Sequence, residues 1–258
     1  MKTSKFVKLL AGMLLTAGGI AGVCLTRTAA LSEGAGAGQT VPFALGLILT
    51  LAGALLILLS LLPKKAPTDT RTLAMAALFA ALCYIGFTFC KIDIPVGAEK
   101  TAFHLGNVFC VLAALFLGGF WGGMAGAVGM TIADLTTAYV TSAPKTFLLK
   151  LGIGLITGLV AHKVFRISRD TEKRKVPLSV ATVLSCAAGM AFNMVADPLV
   201  GYFYKMYVLG VPQQAANIWA KIGALTTSVN AVVAVIAATV LYLALRPALK
   251  RSRLMPVI

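Results

Sequence analysis

The chain has 258 residues, of which 59% are hydrophobic and only 12% charged, with a mean hydropathy of +0.91 and a formal net charge of +15. A water-soluble domain of this length needs a polar surface that such a composition does not supply, so the solvent is lipid. The basic excess does not point to nucleic acid either: the lysines and arginines cluster at the ends of apolar blocks, where membrane orientation alone requires them, and no soluble basic domain carries them.

In chain order, eight apolar stretches fall at about residues 6–26, 41–62, 72–90, 103–118, 122–140, 146–165, 177–201 and 217–245. Most approach the roughly 20 residues that a spanning helix needs; the fourth is short and the last is long enough to tilt. None shows the period-two alternation of a membrane barrel, and backbone groups in lipid must be satisfied within the chain, so these are helices.

The first stretch follows Lys2, Lys5 and Lys8 and precedes Thr28, Ala29 and Ala30, the outline of a signal peptide. Arg27 interrupts the approach to a cleavage site and Ala21-Gly22-Val23 before Cys24 is a poor lipoprotein signal, so the expectation is a retained helix. Leu31 to Thr40, rich in glycine and alanine, is an outer loop. A composition shift at Leu62-Pro63-Lys64-Lys65-Ala66-Pro67 divides the chain into a pair of transmembrane helices, 1–66, and a six-helix membrane domain, 67–258. The charged stretch 166–176 is a cytoplasmic linker. Most basic residues (Lys2 to Lys8, Lys64 to Arg71, Lys163 to Lys175, Arg246 to Arg253) share one side if both termini are cytoplasmic, which the positive-inside rule favours in the cell membrane.

Enzyme and metal signatures are missing. The cysteines at 24, 83, 90, 110 and 186 form no CxxC pair and read as small core hydrophobes. His104 and His162 lie on opposite sides of the membrane, and no HExxH, P-loop or GxSxG sequence occurs. No cofactor, no metal site and no catalytic residue is expected, and any ATP used in transport must be hydrolysed by another subunit.

Small residues give the first positive signal. Gly119, Gly122, Gly123 and Gly126 form two overlapping GxxxG patterns that suit close packing inside a bundle. Ala76 with Ala80, and Ala77 with Ala81, are spaced by four in the third stretch, share helix faces, and are candidates for docking a partner's helix.

Polar residues at membrane depth give the second signal, because each is costly unless paired or lining a cavity. His104 and Asn107, Asp134, Lys150, Asn193 with Asp197, and Asn217, Trp219 and Lys221 come from five helices yet lie at similar depth in their outer thirds. The loop 91–102 is placed to cover them. Convergence of this kind predicts a pocket for a small heterocyclic or amphipathic molecule. Within it, Asp134 and Lys150 are expected to pair, and Asn217 and Lys221 to face the ligand. Trp219, about 200° around the helix from Asn217, suits stacking or interfacial anchoring.

Residues 70–246 resemble the substrate-binding S components of energy-coupling-factor (ECF) vitamin transporters, most closely the riboflavin-type branch. The resemblance is carried by Thr72 to Ala81, Ile92-Asp93-Ile94-Pro95, His104-Leu105-Gly106-Asn107, Ala113 to Gly119 with Gly126 and Gly129, Ala133-Asp134-Leu135, and Lys150-Leu151-Gly152. It implies an all-α six-helix binding subunit, here preceded by two additional transmembrane helices, that associates with a transmembrane coupling subunit and ABC ATPases. The chain departs from the pattern at Asn107, where many members carry Asp, and in the extra helix pair. Riboflavin, a pyrimidine or thiazole precursor, pyridoxine and a cobalamin precursor are all compatible with it. A self-sufficient secondary transporter or channel is the alternative, but the halves show no inverted repeat. A membrane-embedded enzyme is the third reading, and no reactive cluster can be assembled for it.

Overall fold

The computed structural model describes residues 69–96, 99–168 and 176–252. The expected helices at 6–26 and 41–62, the domain 1–66 and Cys24 lie outside these. The described residues belong to one compact unit, Ala66–Ile258.

Helix α1 (Thr70–Thr88) begins where Asp69 caps it, accepting from the Thr72 backbone N–H at 3.3 Å and from the Thr72 hydroxyl. Its two alanine pairs part company. Ala76 is buried and Ala80 backs against Gly129, whereas Ala77 and Ala81 are exposed beside Leu73, Leu78 and Ile85. The spacing marked two faces of one helix; Ala76 and Ala80 lie on the face turned into the bundle.

The loop expected at 91–102 is an antiparallel hairpin. Strands β1 (Lys91–Val96) and β2 (Glu99–His104) pair in the register Lys91↔His104 through Val96↔Glu99. Six residues per strand are too few to cross a bilayer, so the spans themselves remain helical.

Helix α2 runs from Gly106 to Leu135 but is not straight. Gly118 sits at φ 79°, ψ 173°, a conformation open to glycine and strained for any other residue. There the chain reverses: a Cβ on Gly122 would strike Ala114, one on Gly126 would strike Cys110, and Gly106 lies against Met130. Residues 106–117 and 119–135 are therefore antiparallel arms, matching two of the expected helices. The first arm is only about 18 Å long, and Cys110 to Leu117 are all at most 2% exposed. It is apolar all round because neighbours cover it all round.

A short 3₁₀ turn (Val140–Ser142) leads into α3 (Ala143–Leu159), which widens into a π turn at Val160–Val164. Gly123 packs on Leu151 and Gly154, and Gly119 on Leu155 and Gly158, so the GxxxG glycines are internal packing surfaces. Helices α4 (Leu178–Tyr207) and α5 (Gln213–Arg251) complete the bundle. Five of these helices are long and apolar enough to cross a membrane, α2 being counted end to end although it folds back at Gly118. The chain is thus an all-α membrane protein. Exposed Val232, Ile236 and Val240 on α5, like Leu78 on α1, suit contact with lipid.

Cys83, Cys110 and Cys186 are buried as expected, but Cys90 is exposed between α1 and β1. Among the described residues no cluster of His, Cys, Asp or Glu could hold a metal ion.

Candidate binding cavity

At the end of the bundle that carries the hairpin, a cavity of ≈ 140 Å³ is lined by residues of α1, β2, both arms of α2, and α3, α4 and α5. Its position follows from where the sequence leaves polar residues on otherwise apolar helices. His104, Asn107, Asp134, Lys150, Asn193 and Trp219 all line it. Asn217 and Lys221 do not; both are exposed on α5. The face that enters the cavity carries Trp219, Gly223, Thr226, Thr227 and Asn230 instead. Residues 217 and 221 share a face with each other, and that face lies about 200° from Trp219. The helix is rotated so that the indole looks inward and the other two look out.

The expected Asp134–Lys150 ion pair is not formed. Lys150 Nζ donates to Asn107 Oδ1 at 2.9 Å, joining α3 to the first arm of α2. Asp134 takes a hydrogen bond from the Thr146 side chain. The ion pair within the cavity wall is Lys145 Nζ to Asp197 Oδ1, 2.9 Å, with Thr227 Oγ1 donating to Asp197 Oδ2 at 2.8 Å. Lys145 escaped sequence reading because it lies at a helix start, where a lysine ordinarily reaches to the interface.

Asn230 is another residue that sequence reading missed. Its side-chain amide accepts from the His104 backbone N–H at 3.0 Å and donates to the Ala102 carbonyl at 3.0 Å, using both functions of the amide as a strand neighbour would. An asparagine in mid-helix is a signal in itself, since burying it requires such partners. Opposite, Tyr139 donates to Asp93 Oδ1 at 2.9 Å, and Lys91 lies 4.9 Å from the Tyr139 ring and 5.8 Å from Phe87. The hairpin is held over the cavity from two sides. Burial, reinforced by Asp93, raises the Tyr139 hydroxyl above its ordinary range, so it stays a donor.

Three buried polar atoms of the lining have no hydrogen-bond partner: His104 Nδ1, Asp134 Oδ2 and Asn193 Oδ1. Burial, together with the nearby Lys150 ammonium, lowers the His104 imidazole to about 3, so it is neutral at physiological pH. Its ring packs edge-on to Phe87 at 4.7 Å. At the far side, Lys205 Nζ lies 4.1 Å from the centroid of the Trp219 ring. Aromatic walls, orphaned acceptors and ammonium groups together give the cavity both stacking surface and hydrogen-bonding groups.

A family model described as ECF-type riboflavin transporter, S component, matches residues 68–247. The chain belongs to that family. The match spans every described helix, ending within α5. As an S component the protein is a multi-pass membrane subunit of a transporter, a class that is not enzymatic, and the family implies a vitamin-type substrate and ECF partners. Comparison with curated proteins gave no match, and comparison with solved structures gave none.

Proposed function

We propose that this S component captures a vitamin or vitamin precursor from outside the cell, in the cavity under the β1–β2 hairpin, for ATP-driven uptake. The observation that carries the reading is the orphaning of His104 Nδ1, Asp134 Oδ2 and Asn193 Oδ1 around one cavity. A buried polar atom without a partner costs about 1–3 kcal/mol, a penalty that a complementary ligand removes. The distribution of basic residues supports placing this end of the bundle outside and both termini in the cytoplasm.

ATP-driven uptake needs an ATPase, and the chain carries no P-loop. In our reading the coupling subunit of the ECF module docks on the exposed Ala77 and Ala81 face of α1, where small side chains let a second helix approach, and ABC ATPases power release. Mass spectrometry of ligand retained by the purified protein tests the first half. Recovery of a ring compound from the wild type but not from Asn193→Ala is the expected result; identical recovery from both places the site elsewhere. Co-purification of ATPase subunits with the tagged protein tests the second half.

A further inference from the structure

Helix α5 brings Thr226, Thr227 and Asn230 to the cavity wall, and each is already committed to the protein. Thr226 Oγ1 donates back to the Ile222 carbonyl at 2.9 Å, Thr227 holds Asp197, and Asn230, only 6% exposed, directs its amide at β2. The three buried lining atoms without a hydrogen-bond partner, His104 Nδ1, Asp134 Oδ2 and Asn193 Oδ1, all come from other elements. Resting on the reading of this cavity as the substrate site, we propose that Asn230 is a positioning residue: it fixes the backbone at His104 so that the imidazole presents Nδ1 to the ligand.

Paired only with β1, strand β2 has one open edge, with backbone groups that need partners once buried. Asn230 supplies them. Its Oδ1 takes the His104 N–H and its Nδ2 gives to the Ala102 carbonyl, both at 3.0 Å, the bonds that a third strand would otherwise provide. His104 is the last residue of β2. Directly after it, the Leu105 N–H donates to the Gly86 carbonyl at 3.0 Å and α2 begins at Gly106. The backbone is thus held on both sides of the His104 Cα–Cβ bond, and the ring packs edge-on to Phe87 at 4.7 Å. An acceptor aimed in advance costs the ligand no ordering when it binds, so its preorganisation is read in affinity. Direct contact with the ligand is the competing role for a residue in the wall, but both functions of the Asn230 amide already have partners.

Two measurements on the full purified chain test this, using Asn230→Ala and Asn230→Asp, the second of which keeps the shape and the acceptor for the His104 N–H. Amide hydrogen exchange in the ligand-free protein should quicken about tenfold in β2 of Asn230→Ala, and less in Asn230→Asp, with α1 and α3 unchanged. Calorimetric titration with riboflavin should show affinity about tenfold weaker in Asn230→Ala than in the wild type. His104→Ala retains the backbone N–H that Asn230 holds but has no imidazole to aim. Adding Asn230→Ala to it should therefore change affinity by less than about twofold. Asn230→Asp carries the same comparison if Asn230→Ala does not elute from gel filtration as a folded protein. Losses that multiply across the two sites overturn the inference, because they make Asn230 a ligand contact or a general support of the fold. Exchange that is unchanged in β2, or raised equally in every helix, overturns it as well. A wild type that binds no riboflavin counts instead against the cavity reading, and the exchange result then decides the positioning of β2 by itself.

Discussion

Lys145 and Asp197 meet at 2.9 Å in the cavity wall and, with Thr227 on the second carboxylate oxygen, tie α3, α4 and α5 through one side chain. Both charges are partly screened, at 16% and 23% side-chain exposure. Removing one partner strands the other, so Lys145→Met or Asp197→Asn is expected to cost about 2–3 kcal/mol, a little below the roughly 3–5 kcal/mol of a fully buried pair because both side chains keep some exposure. The double variant should recover much of that loss. Thermal unfolding in detergent, followed by gel filtration, measures all three; a double variant as unstable as the sum of the singles would show that the pair does not act as a unit.

The reversal at Gly118 makes the neighbouring glycines unequal. A methyl on Gly122 would overlap the Ala114 backbone, which has no flexible end to move, whereas one on Gly223 meets nothing within 4 Å. Gly122→Ala is therefore expected to destabilise by at least about 2 kcal/mol through overpacking. Gly223→Ala, in the middle of α5, should be neutral or stabilising by roughly 0.5–1 kcal/mol, because alanine is the better helix former. The comparison reads out directly in melting temperature.

How much of this was legible in the sequence depends on what each residue competes against. Polar residues on apolar helices stand out because lipid penalises them, which is why Asn107, Asp134, Lys150 and Asn193 could be placed at one site before any fold was known. Their pairing was not legible. Asp134 and Lys150 look like partners by charge, but Lys150 bonds Asn107 and the carboxylate partner of α3 is Asp197 on α4. Rotation of α5 was not legible either, since Trp219 and the pair Asn217 and Lys221 lie on opposite faces and either face satisfies the hydropathy pattern. The hairpin escaped because Lys91 to His104 is short and mixes polar with apolar residues, and its partners outside its own ladder, Asn230 and Tyr139, are distant in sequence.

His104 ends β2, outside the spanning helices, and gives the site a pH dependence. Its imidazole is lowered from 6.5 to about 3, first by burial and then by Lys150. Between these values the unfolded chain binds the proton and the folded chain does not, so stability rises with pH. The contribution is complete above about pH 6.5 and is lost progressively as pH falls toward 3. Melting temperature should decline from pH 7 to pH 4, and His104→Gln should flatten that slope. An unchanged slope in the variant would assign the acid sensitivity to other groups.

On α1, the two faces of the alanine pattern predict different failures. Ala76→Leu forces a large side chain into the bundle where Ala76 is 7% exposed, and is expected to lower stability by about 1–3 kcal/mol. Ala77→Leu and Ala81→Leu point outward and should leave stability and ligand affinity unchanged while reducing co-purification of the coupling subunit. Unaltered assembly in both outward variants would move the docking face to another helix.

Trp219 provides the most direct view of ligand entry, because the protein has only two tryptophans and the other, Trp121, does not line the cavity. Its indole faces the cavity with the Lys205 ammonium 4.1 Å from its centroid, an arrangement in which a ring ligand either stacks on the indole or displaces the cation. Either event changes the emission of Trp219, so ligand addition should alter fluorescence in the wild type and in Trp121→Phe but not in Trp219→Phe. Affinity should fall about tenfold or more in Trp219→Ala, the stacking surface being worth about 1–3 kcal/mol for a planar ring. Asn217→Ala and Lys221→Ala, exposed on the other face of α5, should bind as the wild type does. Loss of binding in those two, with Trp219→Ala unaffected, would mean that α5 is rotated by about half a turn in the ligand-bound protein, and would return the indole to the role of an anchor at the membrane surface.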